Sequence, residues 1–184
     1  EQANWFDLLA LEVGNLRAAL GWFRAAGQPE AGLRLATALL WFWLIRACWG
    51  EARAHIEALL ELPVTDGAIA PAVRAKALYA AAVLARHQDD FAAARAMCSA
   101  ALTVARETGD RSTEAAALNL LAIVVQRHDR DADAARALFE QSLALRRDLG
   151  DRRGEAVALY NLASIASDHD NDLQAARSLL EASL

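Results

Sequence analysis

An all-α fold, laid out as a row of similar helical hairpins, is what this sequence predicts, and three observations predict it. Hydrophobic residues make up 55% of the 184, they are mostly alanine and leucine, and only three prolines interrupt them, so helix propensity is high along nearly the whole chain. Apolar residues recur at three- and four-residue intervals, as in Leu138, Phe139, Ser142, Leu143 and Leu145, which is helical periodicity. The chain also lies on itself when shifted by 41 residues: "RHQDD" (86–90), "RHDRD" (127–131) and "DHDND" (168–172) place His87, His128 and His169 at that constant spacing. A period this regular is the mark of a repeat architecture.

The first element, residues 1–66, is rich in aromatic residues and fits the period poorly; it is read as divergent hairpins. All five tryptophans fall in it, between Trp5 and Trp49. The run "WFW" at 41–43 sends its rings to more than one side of a helix, which predicts burial on more than one face. Three repeats follow, at 71–110, 111–151 and 152–184. Their second halves, "DDFAAARAMCSAALTVARETGD" (89–110), "RDADAARALFEQSLALRRDLGD" (130–151) and "NDLQAARSLLEASL" (171–184), align at Ala94, Ala135 and Ala176, at Cys98, Phe139 and Leu180, and at Leu102, Leu143 and Leu184. The alanine column lets paired helices approach closely, and the larger residue four positions on fills the space behind it.

Each repeat is two helices. "ETGD" and "DLGD" close the second one: Gly109 and Gly150 can take the left-handed conformation after a helix, and Asp110 and Asp151 can cap the next. Asp90, Asp131 and Asp172 fall near the start of the following helix, where a carboxylate is favoured by the helix dipole. The last helix stops short of its equivalents and no polar capping helix follows. Leu173, Leu179 and Leu180 are therefore expected to be partly open, with a tendency to pair end to end. The short last helix and an opening "EQANW" without methionine are read as a fragment of a larger protein.

Charge and composition exclude several functions. A formal charge of −5, with Lys76 the only lysine, argues against a nucleic-acid surface. Cys48 and Cys98 form no CxxC, so no disulfide framework is expected and the reducing cytoplasm is the expected compartment. The most apolar run, "LLWFWLI" (39–45), is too short to span a bilayer, and no export signal is visible. No phosphate loop or GxGxxG stretch is present. No cofactor is expected.

The His-Asp clusters are the candidates for chemistry. Zinc holds its ligands at about 2 Å, whereas equivalent turns of successive hairpins are about 8–10 Å or more apart, so the three histidines cannot share one ion. Each is read as punctuation, a histidine favoured at a helix C-terminus, and no metal site is assigned. His128 with Asp129 and Asp131 is the best arrangement an enzyme could use, but no nucleophile or third partner recurs beside it. No catalytic residue is assigned and the chain is read as a non-enzyme.

These positions resemble the tetratricopeptide repeat family: small residues at Ala81, Ala122 and Ala163, an aspartate-rich turn, alanine at 94, 135 and 176, and a bulky residue four later. Leu78, Asn119 and Tyr160 replace the family's usual tryptophan, and the period is 41 rather than 34. The N-terminal "NLRAAL" (15–20), "LRLATAL" (33–39), "FW" (42–43) and "EAR" (51–53) are similar to the segment after the nucleotide-binding region of LuxR-type and related STAND-class ATPase regulators. The resemblance implies a right-handed superhelical array of antiparallel hairpins, an α-solenoid, whose first helices line a concave face. Mapped on this sequence, that face holds Arg34, Thr37 and Trp41, then Lys76, Tyr79, Val83 and Arg86, then Ala117, Leu120, Val124 and Arg127, then Ala158, Asn161, Ile165 and Asp168. The binding residues expected from it are Arg34, Trp41, Lys76, Tyr79, Arg86, Leu120, Arg127 and Asn161, around an apolar floor with arginines along one margin.

The function implied is a non-catalytic protein-interaction and regulatory scaffold, a sensor or autoinhibitory arm of a bacterial signalling or transcriptional regulator. Its partner would be a protein or peptide, with the NTPase domain of the same parent chain as one candidate, and a small-molecule inducer as another class of ligand. The alternative is a free-standing adaptor that binds a peptide or helix in its groove. Neither nucleic acid nor membrane is an expected partner.

Overall fold

The computed structural model describes residues 2–63, 67–169 and 171–183, the first five of these as backbone. Leu184, Asp170 and the Trp5 side chain lie outside the described residues. Eleven α-helices and one π turn are present among them, in the order α1 (Gln2–Leu11), α2 (Val13–Ala25), α3 (Pro29–Ala38), α4 (Leu40–Ile45), α5 (Trp49–Leu60), α6 (Pro71–His87), α7 (Phe91–Thr108), α8 (Arg111–Val124), a π turn (Val125–Asp129), α9 (Ala132–Asp148), α10 (Arg152–Asp168) and α11 (Leu173–Ala182). No strand occurs among the described residues.

Each helix packs on its chain neighbours, and first helices also pack on first helices, α3 on α6 and α6 on α8. This is an α-solenoid. Helices α3 and α4 act as one: only Leu39 separates them, and the Leu39 and Trp43 N–H groups still donate to Leu35 and Leu39 carbonyls at 3.1 and 3.0 Å. First helices thus begin at Pro29, Pro71, Arg111 and Arg152, so the period of about 41 extends into the aromatic block.

The core is a chain of small clusters, each shared by adjacent hairpins. At the N-terminal end Leu20, Leu33, Phe42, Trp43, Ile56 and Leu59 pack against Ala77, Ala80, Ala81 and Leu84 of α6. Trp43 is fully buried and Phe42 nearly so, whereas Trp41 is 60% exposed; the expectation of burial on several faces fails for that one ring. Further along, Ala94, Cys98, Ala135 and Phe139 are all fully buried. Small residues bring the backbones close, and two side chains exploit it: the Cys98 thiol donates to the Ala117 carbonyl at 2.9 Å and the Ser142 hydroxyl to the Ala115 carbonyl at 2.8 Å. The column fails at its last member, since Leu180 is 43% exposed.

Helix starts in the array follow one device. Asp90, Asp110, Asp131, Asp151 and Asp172 each accept the N–H three residues on, at 3.1, 3.1, 2.9, 2.9 and 2.9 Å, satisfying a donor that the helix leaves orphaned. Gly109 and Gly150 take φ +67° and +65°. Asp89, Arg130 and Asn171 are also left-handed, at φ 58°, 59° and 54°, immediately before the capping aspartates. The glycines were expected from the sequence; the second set was not, because asparagine and aspartate visit that conformation only occasionally and arginine does not advertise it at all.

Candidate concave binding groove

The exposed faces of α3–α4, α6, α8 and α10 form a groove with three linked cavities. The first, of about 520 Å³, lies between α3–α4 and α6 and is lined by Arg34, Thr37, Leu40, Val73, Lys76 and Tyr79 among others. It is mostly apolar, with the two cations beside it. Arg34 is tied to Glu30 at 2.9 Å, and the other oxygen of Glu30 accepts the Ala70 N–H at 2.7 Å. That backbone bond, followed by Arg34, holds the Glu30 carboxyl below its usual range.

Tyr79 is shared with the second cavity, of about 340 Å³, which also takes in Trp41, Asn119, Arg146, Arg153 and Val157. Here the Arg153 guanidinium sits over the Trp41 ring, 5.5 Å from its centroid, a cation–π contact that joins the second hairpin to the start of α10. Arg146 is paired with Asp151. Burial pushes the Tyr79 phenol above its ordinary value, against the pull of Arg146. Asn119 links this cavity to the third, accepting a bond from the Asn161 amide at 3.1 Å.

The third cavity, of about 380 Å³, is lined by Arg86, Ile123, Arg127, Asn161, Ser164 and Asp168 with two others. Arg86 donates to His87 Nε2 at 2.7 Å, and burial followed by repulsion from Arg127 lowers its proton affinity. Burial and the Arg86 charge also push the His87 pKa down.

Seven of the eight residues expected to bind, Arg34, Trp41, Lys76, Tyr79, Arg86, Arg127 and Asn161, line these cavities. Leu120 does not. It is 4% exposed and packs in the core with Val83, Cys98 and Leu118. Val83, Ala117, Val124, Ala158 and Ile165 are buried as well, so the residues that the family mapping puts on the apolar floor lie in the core. Asn119, Ile123 and Gln126 of α8 and the adjoining turn, and Val157, Tyr160 and Ser164 of α10, face the groove instead. The cause is the cost of burying polar atoms: turning Leu118, Leu120 and Val124 inward leaves Asn119 and Gln126 partly exposed, whereas the opposite rotation would bury two amides. Asn119 and Gln126, seven residues apart, fall on one face of the helix, a placement that the sequence displayed.

The His-Asp turns are spread along the array. The His87 ring lies 5.1 Å from Trp49, and the His128 ring stacks on Phe91 at 5.3 Å. Asp129 pairs with Arg95, and Arg53 reaches Asp90 at 2.8 Å. These contacts tie the first two turns to the hairpin before each. No described helix is long and apolar enough to cross a membrane.

The tetratricopeptide repeat model matches the sequence at residues 73–148 and again at 115–184. No curated protein sequence matches the chain. Among solved structures it is similar to BtubC (BKLC) from P. vanneervenii, with a TM-score of 0.68 over 96% of this chain and 71% of that one, at 16% identity; so low an identity speaks for the fold alone. The matched residues run from α6 through α11, and with the hairpins stacked in this way the chain belongs to the tetratricopeptide repeat family, whose arrays are scaffolds for protein–protein interaction.

Proposed function

We propose that the chain is the non-catalytic regulatory arm of a signalling or transcriptional regulator, acting as sensor or autoinhibitor by taking a protein or peptide segment in its concave groove. The observation that carries this reading is the groove itself: three linked cavities along the first helices, with Tyr79 shared by two of them and Trp41 exposed at 60% in the middle one. Exposed aromatic rings beside arginines concentrate binding energy. The regulator context rests on the likeness of residues 15–20, 33–39 and 51–53 to LuxR-type and STAND-class ATPases, whose NTPase domain is then the first candidate occupant, with an inducer as a further ligand and the cytoplasm as the compartment. The same groove would serve a free-standing adaptor.

Tryptophan fluorescence separates the two. Titrating the chain with the NTPase domain encoded beside it should give a saturable change that Trp41→Phe reduces. Coding sequence with no phosphate loop upstream sinks the regulator reading and leaves the adaptor. The α10–α11 face belongs to the same proposal. Leu173 is 68% exposed there beside a cavity of about 730 Å³, and end-to-end pairing should appear as a mass that rises with concentration in light scattering.

A further inference from the structure

Trp41 and Arg153 meet although they belong to first helices with two others, α6 and α8, between them. Packed helices stand about 8–10 Å apart, so in a straight row α4 and α10 would be about 24–30 Å from each other. That is the limit of what two stretched side chains can bridge, or beyond it. The main packing partners of α4 are α3 and α5, and those of α10 are α9 and α11, so no extensive helix packing draws the two together. The contact depends on the curl of the array. Curl in a solenoid is the sum of small rotations at successive seams, and the Arg153 guanidinium, 5.5 Å from the Trp41 ring centroid, meets its partner only when that sum is large.

The backbone under Arg153 is fixed, while its head group is held by the ring alone. Arg153 stands in the first turn of α10, where Asp151 accepts the Gly154 N–H at 2.9 Å and pairs with Arg146. Both of those side chains lie against the bare Cα of Gly154, 2.5 Å from where a Cβ would stand. The Arg153 guanidinium forms no ion pair or hydrogen bond among the described residues, and Asp151 attracts it only at longer range. Trp41 is 60% exposed. Beneath the pair lies the second cavity, which reaches Tyr79, Asn119 and Val157. A cation–π contact at an exposed site shifts a balance between two states by about two- to fivefold. That is enough to bias the array and little enough for an occupant of the groove to overcome.

We infer that Trp41 and Arg153 form a clasp that biases the array toward its curled state and covers the second cavity, so that an occupant reaching Tyr79 and Asn119 has to part them. Only the last clause rests on the groove-binding reading. The clasp makes the groove self-closing, and what opens it is a change of curvature spread over the seams between α4 and α10.

The test needs no ligand, so its failure leaves the groove reading untouched. The whole chain carries nitroxide labels at Ala25→Cys and Ser178→Cys, both exposed positions, with Cys48→Ser; Cys98 is fully buried and stays unlabelled. Electron–electron double resonance reads the distance between the labels. Arg153→Gln or Trp41→Leu should lower the ratio of short to long distances about two- to fivefold, and the double variant should go no lower than either single one. Arg152→Gln, which removes the neighbouring exposed charge, should change nothing. Trp41 and Arg153 are exposed, so circular dichroism of the variants should match the parent. In NMR spectra of the unlabelled protein, a neutral gadolinium chelate should broaden the half-buried Asn119 amide more in Arg153→Gln than in the parent, and the exposed Asn15 amide equally in both. An unchanged distance ratio in both single variants, or losses that add in the double variant, overturns the clasp. An array that opens while Asn119 becomes no more accessible overturns the covering of the cavity.

Discussion

The aromatic block up to α5 and the array from α6 onward form hairpins of the same period by different means. In the block the starts of α2 to α5 have no side-chain cap: Glu12, Gln28, Leu39 and Cys48 occupy the cap positions, and none of their side chains accepts an N–H of the helix that follows. Its hairpins are held by large side chains, Leu20, Phe42, Trp43, Ile56 and Leu59. In the array every helix start from α7 to α11 is capped by aspartate, and the seams are made of alanine. The same spacing can thus be secured by volume or by close approach with satisfied ends. The two solutions should fail differently.

The largest effect is expected in the block. Trp43→Ala removes a fully buried ring and should cost about 3–5 kcal/mol, as aromatic truncations in cores do, read as a fall in the urea midpoint. In the array the sensitive direction is reversed. Ala94→Leu, at a fully buried seam against Ala85 and Val124, should cost about 1–3 kcal/mol by overpacking, with the loss of hydrogen-exchange protection centred on α6, α7 and α8.

Cap removal comes next. Asp110→Ala should cost about 1 kcal/mol, and its pH dependence identifies the cause. Burial raises the Asp110 pKa, but the Thr113 N–H and hydroxyl outweigh it and the net shift is downward; Asp90 and Asp151 are lowered mainly by the N–H groups of Ala93 and Gly154. A carboxylate with a depressed folded-state pKa contributes stability that is complete above its unfolded value of about 3.9 and is lost as the pH falls through the folded value. The parent protein should therefore lose stability in acid below about pH 4, and Asp110→Ala should flatten that limb of an acid-unfolding curve. The smallest effect is a gain: Arg130→Gly, at φ 59°, should stabilise the array by about 0.5–1 kcal/mol, since the left-handed region is strained for every residue but glycine. A loss instead would mean that the arginine side chain holds the turn.

Much of this was legible beforehand because it repeats. The alanine column, the aspartate caps and the glycine turns recur at one spacing, and recurrence separates a signal from a single residue's accident. What stayed hidden lacks that support. The rotation of α8 that buries Leu120 and exposes Asn119 depends on which of two adjacent residues costs more to bury, and a family mapping by count is blind to that balance. The contact of Arg153 with Trp41 joins hairpins far apart in sequence through the curvature of the array, for which no local pattern exists. The period inside the aromatic block was masked because alanines there gave way to large rings, although the first helices still begin in step.

Cys98 gives the array a built-in clock. Its thiol is sealed in the seam, bonded to the Ala117 carbonyl, and burial pushes its pKa up to about 12, so in the closed state it is both out of reach and almost wholly protonated. Alkylation at neutral pH can then proceed only when α7 and α8 part, and the rate of modification at Cys98 counts those openings. Cys48 is half-buried and outside this seam, so its labelling is independent of it. A ligand that straps the first helices together along the groove would slow the clock without touching the sulfur.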